Sequence, residues 1–261
     1  MKKIVLLING SIGLRVLEFV GLQSNVRVIG IVINSISKRN SVYAQRVDSL
    51  LLKLQLDVPV ISYENDEKIL VRVKSLISES DLGISALFGH VLPRSLLEDS
   101  KCEIINLHPS LLPIGRGADP IPWAIINRQK QGVTIHKIDS GLDTGEIISQ
   151  RELAVGRYLD AGRIYELAID LLFSELTSIF DKWVTNGIRG DKQVDSNFTF
   201  HKTDELESLR IIRAQEIGTF EQFLLRLTAL TFSDGRKPLF MDESGKVWEV
   251  NLSVLPQEVK N

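Results

Sequence analysis

Asn106 and His108 stand two residues apart in CEIINLHPSLLP, where a buried-looking apolar run meets a proline. On an extended strand that spacing puts both side chains on one face. Pro109 holds His108 in extended backbone and removes a donor from the ladder, so the pair marks a strand end. An amide that donates and an imidazole that titrates near neutrality are a hydrogen-bond donor and a base. Further along, SGLDTGEI sets Asp143 between Gly141 and Gly145, on backbone able to take unusual dihedrals or approach a ligand closely. Taken singly, Asn106 or His108 reads better as a hydrogen-bonded strand end, and the second stretch reads better as a common hairpin.

The elements around them argue for a particular frame. KIVLLI and VRVIGIVI are near-continuous apolar runs, as expected of strands covered on both faces. NGSIGLRVLEFVG supplies a loop and helix between them. Helical spacing follows over Val42–Leu56 and Asp66–Ser78, with VPVIS, ISALF and CEIINLH as later strands. The alternation predicts an open, mostly parallel, Rossmann-like α/β sheet, in which ligands gather at the carboxyl ends of strands. After Gly132, GVTIHKID and EIISQREL read as two strands around SGLDTG, and Asp160–Gly187 as one long amphipathic helix ending at Asn186-Gly187. The polar GIRGDKQVDSN then separates a main domain, 1–187, from a small C-terminal α+β appendage, 188–261. That appendage carries a helix at Thr219–Leu230 and strands at KPLFM and KVWEVNL.

Composition closes off several classes. The chain has 261 residues, 44% apolar and 25% charged, with a formal net charge of −2. No basic footprint for nucleic acid is visible, and no apolar stretch approaches a membrane span. The single cysteine, Cys102, excludes an internal disulfide framework, points to a reducing cytoplasm and reads as a small core residue. At the first turn only Gly10 and Gly13 appear, and VINSISKRN carries no acid after the second strand, so a dinucleotide fingerprint is missing. Asn9, Gly10 and Ser11 there are equally a tight turn and a ligand contact. His136 alternates with Thr134 and Ile138 and reads as structural. Trp123 reads as core, and His201 has no visible partner.

Together, NLHPSLLPIGRGADPIPWAI and GVTIHKIDSGLDTGEIISQ, preceded by SALFGHVLPRSLL, resemble the folate-dependent formyltransferase family, most closely between Ser85 and Gln150. The resemblance implies a formyltransferase domain using 10-formyltetrahydrofolate as co-substrate, with no metal. The family's asparagine, histidine and aspartate fall on Asn106, His108 and Asp143. Its folate slot falls on Phe88, Gly89, His90, Val91 and Leu92, and on Ile138, Asp139 and Gly141. The chemistry fits: an amine attacks an acyl-like carbon, Asn106 donates to the developing oxyanion, and His108 takes the proton. Asp143 orients His108.

The acceptor amine is a separate question. The glycinamide ribonucleotide branch typically carries a longer glycine loop after the first strand and an LDGG-like turn. The methionyl-tRNA branch adds a basic insertion and a barrel, whereas NSISKRNSVYAQ is short and only mildly basic. Chain length, LPIGRGADPIPWAI and the tail look most like the sugar N-formyltransferases. The acceptor implied is a dTDP- or GDP-linked amino-dideoxyhexose, preferably a 4-amino-4,6-dideoxy sugar, made for cell-surface polysaccharide such as lipopolysaccharide O-antigen. Ser110, Arg116 and Gly117, with Asn9–Ser11, are the acceptor contacts this implies. Arg116 reads equally as a solvated loop charge. A homodimer is compatible with the tail, and no nucleic acid or membrane partner is expected.

Overall fold

The N-terminal apolar run becomes β1 (Lys2–Ile8), with Ile4 through Ile8 fully shielded from solvent. The computed structural model describes residues 1–35, 41–97, 100–194, 197–202, 204–233 and 235–254. After β1 come α1 (Gly10–Gly21), β2 (Val26–Asn34), α2 (Ser41–Leu54), β3 (Val60–Tyr63), α3 (Glu67–Glu79), β4 (Leu82–Ala86), α4 (Arg94–Leu97) and β5 (Glu103–His108). Residues 36–40, in the mildly basic stretch after the second strand, lie outside the described residues. Next are β6 (Arg116–Gly117), α5 (Pro120–Ile126), β7 (Gln131–Lys137), β8 (Ile147–Leu153) and α6 (Ala161–Asn186).

The main sheet runs β3-β2-β1-β4-β5-β7-β8. Strands β1 to β5 pair in parallel, and β7 runs antiparallel to β5. This is the open, mostly parallel α/β sheet expected. The chain winds outward from β1 to β3 and then returns to place β4 on the other side of β1. That reversal is a topological switch point, where crevices open beyond the strand ends. The Asn9 N–H donates to Ala86 O at 3.1 Å, tying the ends of β1 and β4 together there.

Two compact units emerge: Met1–His108 with Thr134–Gln150 and Leu172–Gln193, and Pro109–Val133 with Arg151–Leu171 and Val194–Asn261. The last crossing between the units lies between Gln193 and Val194. The second unit also draws on two segments inside the 1–187 span. In the first unit, the C-terminal half of α6 buries Phe180 and Trp183, and Trp183 donates its indole N–H to Glu103 at 2.8 Å. Gly187 ends that helix at φ +68, its N–H returning to Trp183 O, as a left-handed terminator does.

Cys102 packs against the apolar cluster that joins β1, β2, β3 and α3 to Ile104 of β5. Burial, with Asp81 and Glu103 nearby, pushes its thiol up to about 12. The thiolate is the reactive form, so the native protein should resist iodoacetamide at pH 8, and mass spectrometry should find Cys102 alkylated only after denaturation. Rapid native labelling would contradict the core reading.

In the second unit, β9 (Phe200–His201), α7 (Glu205–Ser208), β10 (Ile211–Arg213), α8 (Phe220–Ala229), β11 (Leu239–Met241) and β12 (Val247–Glu249) follow. Helix α8 starts on a capping box between Thr219 and Gln222 and packs on α5. A three-stranded sheet β10-β11-β12 gives the tail its α+β character.

Candidate active site

The antiparallel β5–β7 register sets Asn106 opposite His136 and His108 opposite Thr134. One face of this pairing therefore gathers Asn106, His108 and His136, as the two-residue alternation requires. His136 Nδ1 lies 2.8 Å from the Lys137 carbonyl, which can only accept, so Nδ1 carries the proton. Its Nε2 then accepts from Asn106 Nδ2 at 3.1 Å, and this fixes the orientation of the Asn106 amide. Asp143 reaches the same place from the β7–β8 loop. Its Oδ1 is 3.5 Å from His136 Nε2, and its Oδ2 is 3.9 Å from His108 Nδ1. His108 is 6% exposed and the Asp143 side chain 12%, so this carboxylate faces two imidazoles with little solvent to screen it. His136 keeps the structural hydrogen bonds expected of it, but its place inside the cluster is additional.

The Asp143 backbone sits at φ +53, a left-handed conformation that costs a non-glycine residue energy unless its surroundings hold it. The loop is held from several directions. Asp139 Oδ1 accepts from the Gly141 N–H at 3.0 Å and the Thr144 hydroxyl at 2.6 Å. Lys137 N–H donates to Glu146 O, closing the base. Gly145 has no room for a Cβ, which would strike the Lys137 carbonyl. From after α6, Gln193 Nε2 donates to the carbonyls of Asp143 and Gly145, both at 2.8 Å. Gln193→Ala frees the loop that carries Asp143. Turnover should fall about tenfold while the melting temperature shifts by only a few degrees; a variant with unchanged kcat would show that the clamp is dispensable.

The proposed folate residues lie along the switch-point edge of the same unit. Leu87 turns the chain at φ +52, and the Gly89 N–H donates to Asn34 Oδ1 at 3.2 Å. Phe88, Leu92 and Ile138 join one apolar cluster that also includes Tyr63. The His90 ring lies 4.8 Å from Tyr63 and 5.4 Å from Phe88, and partial burial lowers its pKa. Val91 turns its side chain outward, 65% exposed. Asp139 and Gly141 serve the turn itself, as above, and the Ile138 N–H is spent on Ile104 O. At the first turn Asn9 precedes α1 without capping it by its side chain, Gly10 takes φ +64, and Ser11 is exposed.

The remaining acceptor candidates belong to the second unit. Ser110 is buried. Arg116 is 6% exposed, so the solvated-charge reading fails, and its guanidinium lies over the Phe198 ring at 5.3 Å. Strand β9 holds this loop: Gly115 N–H donates to Thr199 Oγ1, Arg116 N–H to Thr199 O, and Ala118 N–H to His201 O. Gly117, at φ +87, has the His201 carbonyl where a Cβ would go. His201 does have partners: its ring stacks on Trp123 at 3.9 Å, and Nδ1 meets Glu205 at 3.0 Å. A partner 78 positions away in sequence leaves no local signal at either residue.

These features fit a known lineage. The chain belongs to the formyl transferase family, which matches residues 22–171. It is 34% identical over 187 residues to the dTDP-4-amino-4,6-dideoxyglucose formyltransferase of Mycobacterium tuberculosis, across 72% of this chain and 79% of that protein. The methionyl-tRNA formyltransferase of Clostridium novyi is 34% identical over 152 residues, across 58% of this chain but 48% of its own length. The 4-N formyltransferase from Francisella tularensis has TM-score 0.82 at 22% identity, covering 98% of this chain and 99% of that one. An N-formyltransferase from Helicobacter canadensis, solved with folinic acid and dTDP-3-aminofucose, has TM-score 0.70 at 18% identity, over 90% and 82%. At those identities the solved structures establish the shared fold. No described helix is long and apolar enough to cross a membrane.

Proposed function

We propose that this enzyme transfers the formyl group of 10-formyltetrahydrofolate to the amine of a nucleotide-linked amino-dideoxyhexose, with a dTDP-linked 4-amino-4,6-dideoxy sugar as the preferred acceptor. The observation that carries the chemistry is the convergence of Asn106, His108 and Asp143 at one shielded strand end. The similarity across most of the mycobacterial sugar enzyme carries the acceptor class. The match to a methionyl-tRNA enzyme covers under half of that protein, and the net charge of −2 gives tRNA no electrostatic footing.

In this reading the acceptor nitrogen attacks the formyl carbon and the carbonyl oxygen becomes an oxyanion. One Asn106 Nδ2 proton is committed to His136, and the other is the oxyanion donor. His108, oriented through Nδ1 by Asp143, takes the proton released by the amine as the new C–N bond forms. The C–N bond to folate then breaks, and the proton passes through His108 and water to the departing folate nitrogen. Phe88, Leu92 and Ile138 offer the pterin an apolar wall, with Gly89, His90, Val91, Asp139 and Gly141 supplying backbone contacts. Asn9, Gly10 and Ser11 are the sugar-nucleotide contacts we assign within the first unit, and Ser110, Arg116 and Gly117 are separate candidates within the second. The product is destined for a cell-surface polysaccharide, made in the cytoplasm by a chain that is free to dimerise through its tail; GDP- and 3-amino-linked sugars are the nearest alternative acceptors.

The test is a formylation assay with 10-formyltetrahydrofolate against dTDP-, GDP- and UDP-linked 3- and 4-amino sugars, glycinamide ribonucleotide and methionyl-tRNA. The dTDP-4-amino sugar should give the highest kcat/KM. Turnover of tRNA alone would replace the sugar reading with the tRNA one.

A further inference from the structure

His108, His136 and Asp143 do more than orient one another: one nitrogen or oxygen from each lies within 4.8 Å of the others. A tetrahedral Zn²⁺ holds nitrogen at about 2.0–2.1 Å and carboxylate oxygen at about 2.0–2.2 Å, so neighbouring ligand atoms sit roughly 3.3–3.5 Å apart. His136 Nε2 and Asp143 Oδ1 are already at 3.5 Å, while His108 Nδ1 lies 3.9 Å from the other carboxylate oxygen, Oδ2, so one shared oxygen requires the carboxylate to turn. The remaining closure is within reach of a side-chain adjustment.

Two further observations point the same way. His136 Nδ1 donates to the Lys137 carbonyl, the outer hydrogen bond that fixes the tautomer and ring plane of metal-binding histidines and leaves Nε2 with its lone pair inward. The set is also largely shielded from solvent, so a divalent charge would meet the Asp143 carboxylate in a poorly screened environment. Two imidazoles and one carboxylate suit a borderline cation such as Zn²⁺ or Co²⁺; Mg²⁺ and Ca²⁺ prefer oxygen.

We propose that His108, His136 and Asp143 form an inhibitory site for Zn²⁺ or a cation of similar softness. The ion takes one atom from each residue, and water or a ligand atom fills the fourth position. Binding uses the same His136 Nε2 lone pair that Asn106 Nδ2 now occupies at 3.1 Å, so metal and Asn106 compete. Occupancy releases the Asn106 amide from its aim and ties up the nitrogen of His108 that faces Asp143. The inhibition rests on the roles proposed above for these residues, whereas the binding does not.

The experiment titrates Zn²⁺ into the untagged, chelator-stripped full chain by calorimetry. Co²⁺ serves as a spectroscopic probe, and formyl transfer is followed in parallel. The expected result is one ion per chain with a tetrahedral Co²⁺ spectrum, and inhibition reversed by chelator. His136→Ala and Asp143→Asn should each weaken binding more than tenfold, and Asn106→Ala should leave it unchanged or tighten it. Asp143→Asn is the safer variant to fold, since asparagine tolerates the φ +53 backbone. Fewer than one bound ion per chain, or affinities within twofold of wild type in both ligand variants, would overturn the site. Failure of formyl transfer alone would bear on the proposed reaction and leave the calorimetric answer standing.

Discussion

His108→Ala lowers kcat for formyl transfer by roughly 10²–10⁴-fold, the range that a positioned general base contributes. KM for either substrate should move little, because the imidazole is assigned to the proton and not to ground-state binding. The side chain is 6% exposed and its backbone pairs with Thr134 of β7, so circular dichroism and the melting curve serve as the control for folding. Single-turnover measurement with saturating acceptor isolates the chemical step. A kcat within fivefold of wild type in a folded variant would remove His108 from the mechanism and with it the reading of the site.

Asp143→Asn is the second large effect, and the backbone makes it a clean substitution. Aspartate and asparagine are the non-glycine residues that best tolerate positive φ, so the turn at φ +53 survives while the charge is lost. The amide can no longer offer a charged acceptor to His108 Nδ1, which lies 3.9 Å from Oδ2. A fall in kcat of roughly 10²-fold or more is expected, in line with the loss of the carboxylate that orients a catalytic imidazole. Asp143→Ala should add backbone strain of about 1 kcal/mol to the same catalytic loss. Comparing the two by denaturant titration separates electrostatics from geometry. If Asn and Ala variants kept near-native turnover, Asp143 would be a turn residue only, the reading that SGLDTG alone permits.

How much of this was legible in sequence depends on how local each signal is. Apolar runs and helical spacing marked the main strands and long helices through α6, because burial of β1 and β4 on both faces imposes continuous hydrophobicity, while the short α4, β6 and α5 carry no such pattern. Asn106 and His108 were legible because Pro109 marks the strand end and the spacing fixes the face. Asp143 was legible because its flanking glycines announce unusual backbone. His136 was read only as structural. Its proximity to Asn106 follows from β7 running antiparallel at that register, and pairing direction leaves no mark on a single strand's composition.

Contributions from distant segments were harder still. Gln193 lies in a polar loop whose composition says nothing of the Asp143 and Gly145 carbonyls it holds. Asn34 at the end of β2 and Tyr63 at the end of β3 meet the Phe88–His90 segment only because the sheet order gathers strand ends. Arg116 invited a solvated reading because a charged residue in a glycine-rich loop usually is one. Its burial is the work of Phe198–His201, some eighty positions on.

The antiparallel strand also has a consequence for a chain still being made. Until β7 pairs with it, β5 carries an open row of N–H and C=O groups, the kind of edge that recruits other chains. The 22 residues between them, 109–130, belong to the second unit. At the usual pace of synthesis they take roughly one to five seconds to emerge. During that interval the growing chain displays a half-finished sheet, so slow translation or crowded expression should shift its yield toward aggregate even though the finished sheet covers that edge.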